Sequence, residues 1–96
     1  MSDRTDELRE VVTKNAGGDY VVYLFGSRAS GKNKVNSDFD VGLVGIGGKK
    51  LSSLIKNKIE MELERKKFPY KVDLVDMNSV SDNFRKVAMR EAVRWM

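Results

Sequence analysis

Six apolar or aromatic residues, Tyr20 to Phe25 (YVVYLF), run without a break and stop at Gly26. Successive side chains of a strand point to opposite faces. A run this short with no polar alternation, rich in β-branched and aromatic residues, reads as a strand buried on both faces. Such a strand forces the rest of the chain to supply cover. Asp6 to Ala16 offers one helix, with Leu8, Val11, Val12 and Ala16 on one side and Gly17-Gly18 to end it. Leu51 to Lys66 offers another, with Leu51, Leu54, Ile55, Ile59 and Leu63 as its apolar stripe.

Two further strands are expected. In Asp38 to Val44 the odd positions Phe39, Val41 and Leu43 form an apolar face, and Asp38 and Asp40 fall on the other. Tyr70 to Met77 (YKVDLVDM) follows Pro69, the only proline, which keeps helix from returning. Ser27 to Gly31 reads as one helical turn begun by Ser27, and Lys32 to Ser37 as a loop. Ser79 or Ser81 caps a last helix carrying Val80, Phe84, Val87, Ala88, Ala92 and Trp95 on one face. Phe84 and Trp95 either mark an interaction face or pack on the sheet, and their helical spacing favours packing. The order is α-β-α-β-α-β-α. The expected class is α/β (α+β): a small mixed sheet of about three strands with flanking helices, with residues 1–96 as a single domain.

Composition narrows the chemistry. The hydrophobic fraction of 41% is spread along the chain, which argues for a folded domain rather than disorder. No apolar run approaches the roughly 20 residues of a membrane span, and no secretory pattern opens the chain. There is no cysteine, so thiolate chemistry is excluded and a cytoplasmic, reducing setting fits. There is no histidine, which removes the commonest general base and transition-metal ligand. A metal site must then be built from oxygen, which suits Mg²⁺ or Mn²⁺. The net charge of +4 permits nucleotide, nucleic-acid or acidic-protein partners, though a solvated surface is the more ordinary explanation. No aromatic-plus-arginine pattern of an RNA module is present, so direct nucleic-acid binding is not expected.

Asp38 and Asp40 project from the same strand face, with Cα atoms about 6.5–7 Å apart at roughly 3.3 Å of rise per residue. Two like charges there repel unless a cation is shared. Asp38 alone reads as a turn residue after Asn36-Ser37. Asp40 lies inside the strand, where Asp is disfavoured. Asp73 interrupts the apolar third strand, and a buried carboxylate is normally paired or metal-bound. Lys71 on the same strand face is a candidate partner for it, and Asp76, at the strand end, is a rival third acid. Three carboxylates from two strands suggest a site for one or two Mg²⁺ ions, suited to nucleotidyl transfer. The third acid can take the proton of an incoming hydroxyl. Upstream, Gly26 ends a strand and Ser27 opens a helical turn, a place where backbone N–H groups receive phosphate. Arg28 and Lys32 add positive charge.

Gly26-Ser27, ten residues, Asp38-x-Asp40, and later an Asp in a hydrophobic strand resemble the nucleotidyltransferase superfamily that includes DNA polymerase beta. The length and "GSRASG…SDFDVGLV" are most similar to the minimal nucleotidyltransferases, partners of HEPN-domain proteins in toxin–antitoxin pairs. The resemblance covers essentially the whole chain. It implies the nucleotidyltransferase fold, with Gly26 and Ser27 holding a nucleoside triphosphate and Asp38, Asp40 and Asp73 holding the metals. It implies transfer of AMP from ATP to a hydroxyl, a tyrosine of a HEPN toxin in some members. Family members often read "GSRARG"; here Ser30 replaces the second Arg, and Lys32 is a candidate substitute. The alternative is a non-catalytic antitoxin that neutralises a HEPN partner by binding it. Larger family members carry an added domain that selects base and acceptor, so here selection is expected from a partner or from the surface of the last helix.

Overall fold

The computed structural model describes residues 4–26 and 38–95. Helix α1 (Thr5–Ala16) leads through a single 3₁₀ turn into strand β1 (Tyr20–Phe25). Strand β2 (Phe39–Gly45) and helix α2 (Ser53–Arg65) follow, then strand β3 (Val72–Asp76), helix α3 (Asp82–Met89) and strand β4 (Val93–Arg94). The sheet has four strands in the order β3-β2-β1-β4. β1 pairs antiparallel with both β2 and β4, while β2 and β3 are parallel, so the sheet is mixed as expected. None of the described helices is long and apolar enough to cross a membrane.

The register explains the alternation of β2. Val22 faces Leu43 and Leu24 faces Val41 across the antiparallel pair. These four, with Phe39, form one face of the sheet and are almost wholly buried. Leu8, Val11, Val12 and Ala16 of α1 and Ile59 and Leu63 of α2 close over them. Phe39, Phe68 and Tyr70 form an aromatic trio at the edge of this core, with centroids 5.6–5.7 Å apart. Glu62, nearly buried, ties the two helices together: Lys14 Nζ lies 2.6 Å from it and Asn15 Nδ2 donates to it at 3.1 Å.

The opposite face is covered less completely. Val21 and Tyr23 are half-buried, so β1 is not sealed on both sides as its composition suggests. α3 lies here. Its N-cap is Ser81, whose hydroxyl accepts from Phe84 N–H. Phe84 meets Phe25 edge-on, with centroids 6.1 Å apart.

Three sequence expectations are corrected. The last helix stops at Met89 instead of running to Trp95: Val93 and Arg94 pair with β1, and Trp95 N–H donates to Val22 O at 2.8 Å. Trp95 therefore joins the core under α1 rather than the face of α3, and the sheet gains a fourth strand. Leu54, read as part of the buried stripe of α2, is 63% exposed, because it sits in the first turn just after the Ser52 cap. The helical turn expected at Ser27 to Gly31 and the loop at Lys32 to Ser37 lie outside the described residues.

Candidate nucleotide and metal site

The register places the acidic residues. Asp40 is the second residue of β2 and stands between Phe25 on β1 and Asp73 on β3. Adjacent strands lie about 4.8 Å apart, and side chains opposite each other share a face. Asp40 and Asp73 therefore sit side by side on the face away from the α1–α2 core. Asp38, two residues earlier, precedes the strand on the same side and is exposed.

These carboxylates feel one another. Asp40 is half-buried, and its pKa is raised, first by burial and then by the charges of Asp73 and Asp38, with Lys71 opposing. That is the behaviour of a partly desolvated acid that also has like charges beside it and too little counter-charge to offset both. Among the described residues, no three acidic side chains stand close enough together to hold an ion as they are placed. The donor set nevertheless fits a hard cation: it is all oxygen, and a positive charge beside Asp40 and Asp73 would offset both the burial and the like-charge repulsion that lift Asp40.

Gly26 touches the same spot. It follows β1, adopts a positive φ of 78°, and faces Asp40 so closely that a Cβ there would collide with the Asp40 carboxylate. The positive φ favours glycine, and a side chain there would have to push the Asp40 carboxylate aside. The end of β1 and the acid of β2 are thus packed into one corner.

Two sequence expectations about the acids change. Asp73 is exposed, not buried, because β3 is an edge strand. The cost of burying a carboxylate gives no reason for it to bind metal; its register with Asp40 does. Lys71 forms no ion pair with Asp73 among the described residues, and its charge instead acts on Asp40. Asp76, the rival acid, has a structural job. It accepts from Leu51 N–H (3.0 Å), Asn78 N–H (3.0 Å) and the Ser79 hydroxyl (2.9 Å). Burial pushes its pKa up, but these hydrogen bonds outweigh burial and hold it below the usual carboxylate value. Ser27, Arg28 and Lys32 fall outside the described residues, as does Ser30.

Residues 7–94 match the Polymerase beta, Nucleotidyltransferase family. The chain belongs to this family. A nucleotidyltransferase relative in Haemophilus influenzae, Probable protein adenylyltransferase MntA, is 35% identical over 69 residues, which is 72% of this chain and 59% of the relative. The chain thus spans less than two thirds of that protein. Two solved structures share the fold. One is a toxin–antitoxin complex with AMP-PNP (20% identity, 96% of this chain and 73% of that one, TM-score 0.73). The other is a tri-AMPylated Shewanella oneidensis HEPN toxin in complex with its MNT antitoxin (18% identity, 99% and 72%, TM-score 0.65).

The corner formed by Gly26 and Asp40 has a flank at the last helix, whose surface the sequence marks only in general terms. A cavity of about 310 Å³ beside Gly26 is lined by Val87, Ala88, Arg90 and Glu91. The helical period puts Val87 and Ala88 on one face of a longer last helix and singles out neither Arg90 nor Glu91. The turn that presents them carries no Gly or Pro. Only the β-branched Val93 hinted that the chain returns to the sheet there.

Proposed function

We propose that this chain is a metal-dependent nucleotidyltransferase domain that transfers AMP from ATP to a hydroxyl, with a tyrosine of a HEPN partner as the acceptor. The observation that carries the reading is the meeting of Asp40 with Asp73 and with the glycine that ends β1, in a chain of this family. The likeness to MntA and to an AMPylated HEPN complex motivates the choice of nucleotide and acceptor. Residues 1–96 act as one domain in this reading.

In the proposed mechanism Asp38, Asp40 and Asp73 would hold one or two Mg²⁺ ions, which would supply charge stabilisation to the phosphoryl group being transferred. Backbone N–H groups after Gly26, with Ser27, Arg28 and Lys32, bind the triphosphate and orient its α-phosphorus. Asp73 is exposed on an edge strand, where an incoming protein hydroxyl can reach it, and its carboxylate takes the hydroxyl proton as the new P–O bond forms. Pyrophosphate departs with the electrons of the broken P–O bond.

The test is incubation of the chain with a co-encoded HEPN protein, Mg²⁺ and ATP labelled on the α-phosphate. Label is expected on a tyrosine of the partner, and Asp40→Asn removes it. Neutralisation of the partner with no label transferred would mean that the chain acts as a binding antitoxin and not as an enzyme.

A further inference from the structure

We propose that the cavity between Gly26 and the C-terminal end of α3 receives the base of the nucleotide. This rests on the nucleotidyltransferase reading above and adds to it a site for the part of the substrate that the Gly-Ser and carboxylate groups do not touch.

Gly26 is the common point. It lines the cavity, and it abuts the carboxylate of Asp40. A nucleotide whose phosphates lie beside the Asp40 carboxylate is separated from this cavity only by Gly26, which puts its base within reach. At about 310 Å³ it sits at the small end of ligand clefts, roughly 300–1,000 Å³, and suits a single ring system rather than a peptide. A larger groove of about 510 Å³ runs along α3, bounded by Asp82, Arg85, Lys86, Met89 and Arg90, but Gly26 is not among its walls.

The lining matches a planar heteroaromatic group. Val87 and Ala88 offer an apolar surface to a ring face. Arg90 and Glu91, in the turn after α3, offer a guanidinium plane and an acceptor to its face and edge. Bases stack on guanidinium planes as well as on aromatic rings. The wall is also anchored. Phe84 rests on Phe25 of β1, and Arg85 donates twice to Met77 O, at 3.2 and 2.6 Å, so α3 is tied to the ends of two strands. Val87 is 59% exposed, so its apolar surface is open to a ring placed in the cavity.

The experiment compares ATP with inorganic tripolyphosphate, which carries the phosphates and no base. Both are titrated calorimetrically into the full chain with Mg²⁺. Wild type is expected to bind ATP at least about tenfold more tightly, the scale of one stacked base. Ala88→Phe fills the cavity and should bring ATP down to the affinity of tripolyphosphate, while tripolyphosphate itself changes by less than about twofold. Unliganded melting checks that the variant folds. Arg90→Ala, an exposed change in a turn, should reduce the preference for ATP in the same sense if Ala88→Phe does not fold. A wild type that binds tripolyphosphate as tightly as ATP overturns the base site and leaves the phosphate and metal reading standing. So does a folded Ala88→Phe with undiminished ATP affinity, or, should that variant not fold, an Arg90→Ala with an unchanged ATP preference. Binding of neither ligand by wild type overturns the nucleotidyltransferase reading, and the base site with it.

Discussion

Asp40→Asn should make the protein more stable and less useful, and the two effects can be separated by one ligand. Asp40 lies in register with Asp73, on strands about 4.8 Å apart. At a charge separation of about 5 Å and an effective dielectric near 60 for this half-exposed pair, the repulsion is on the order of 1 kcal/mol. Like charges directly opposite on a sheet cost about 0.2–1 kcal/mol. Removing the charge while keeping the shape should therefore stabilise the metal-free protein by about 0.5–1 kcal/mol, or about 2–8 °C in Tm for a domain this small. The sign depends on pH. Burial and the neighbouring acids raise the pKa of Asp40 in the folded state, so the native protein holds that proton more tightly than the unfolded chain. Wild-type stability then falls as pH rises from the unfolded value of 3.8 through the raised folded value. The advantage of the Asn variant should be absent in acid and complete at neutral pH. Mg²⁺ with ATP should reverse the order. A ligand at a hundredfold over its Kd adds about 2.7 kcal/mol to the protein that binds it, and the variant should not bind it. The assay is thermal unfolding in EDTA and in Mg·ATP at several pH values. An Asn variant that melts below wild type in EDTA at pH 7, or that gains as much from Mg·ATP, refutes the reasoning.

Further outcomes follow from the same geometry. Asp73→Asn removes the same repulsion and should raise Tm modestly, as Asp40→Asn does, but abolish label transfer, whereas Asp76→Ala should lower Tm, at about 1 kcal/mol for each hydrogen bond lost, with the transfer chemistry retained in the folded fraction; unfolding and transfer assays on the pair separate the two acids. Gly26→Ala should cost at least about 1 kcal/mol from its positive φ alone, and ATP binding should fall with it because Asp40 is displaced, read by calorimetry. Glu62→Gln should flatten the acid limb of the stability curve. The hydrogen bonds from Lys14 and Asn15 lower the Glu62 pKa, so its contribution is present above the unfolded value of 4.5 and lost as pH falls through the folded one. Ser81→Ala should destabilise by about 1 kcal/mol through loss of the α3 cap, measured by urea unfolding.

The main elements could be read from the sequence because they rest on local rules. β1 is an unbroken apolar run, and α1 shows a 3.6-residue period closed by glycine. β2 alternates strictly, which is why Phe39, Val41 and Leu43 are buried while Asp40 turns the other way. What could not be read was set by long-range pairing. The helical spacing of Val87, Ala88, Ala92 and Trp95 is real, yet the chain leaves the helix after Met89, because Trp95 is buried better beside Val22 than on the surface of α3. Tertiary burial overrode local periodicity there. Asp73 was singled out for the wrong reason. A polar residue in an apolar strand looks buried, but strand order decides burial, and no local pattern fixes that order.

That edge position bears on what the site can do. Had β3 been a central strand, Asp73 would be flanked by neighbouring side chains on both sides, as Asp40 is. As an edge strand it shows Asp73 to solvent on one side and aligns it with half-buried Asp40 on the other. The two acids therefore differ in environment despite sitting side by side. Asp40, desolvated and crowded, gains most from a cation, while Asp73 keeps its access to water and to an acceptor. On the far side of Asp40 stands Gly26, and beyond it the cavity under α3. In the proposed reaction, acceptor side, reacting centre and nucleotide side would then lie in one row across β3, β2 and β1, and a protein substrate would approach over the β3 edge without displacing a nucleotide at the β1 end.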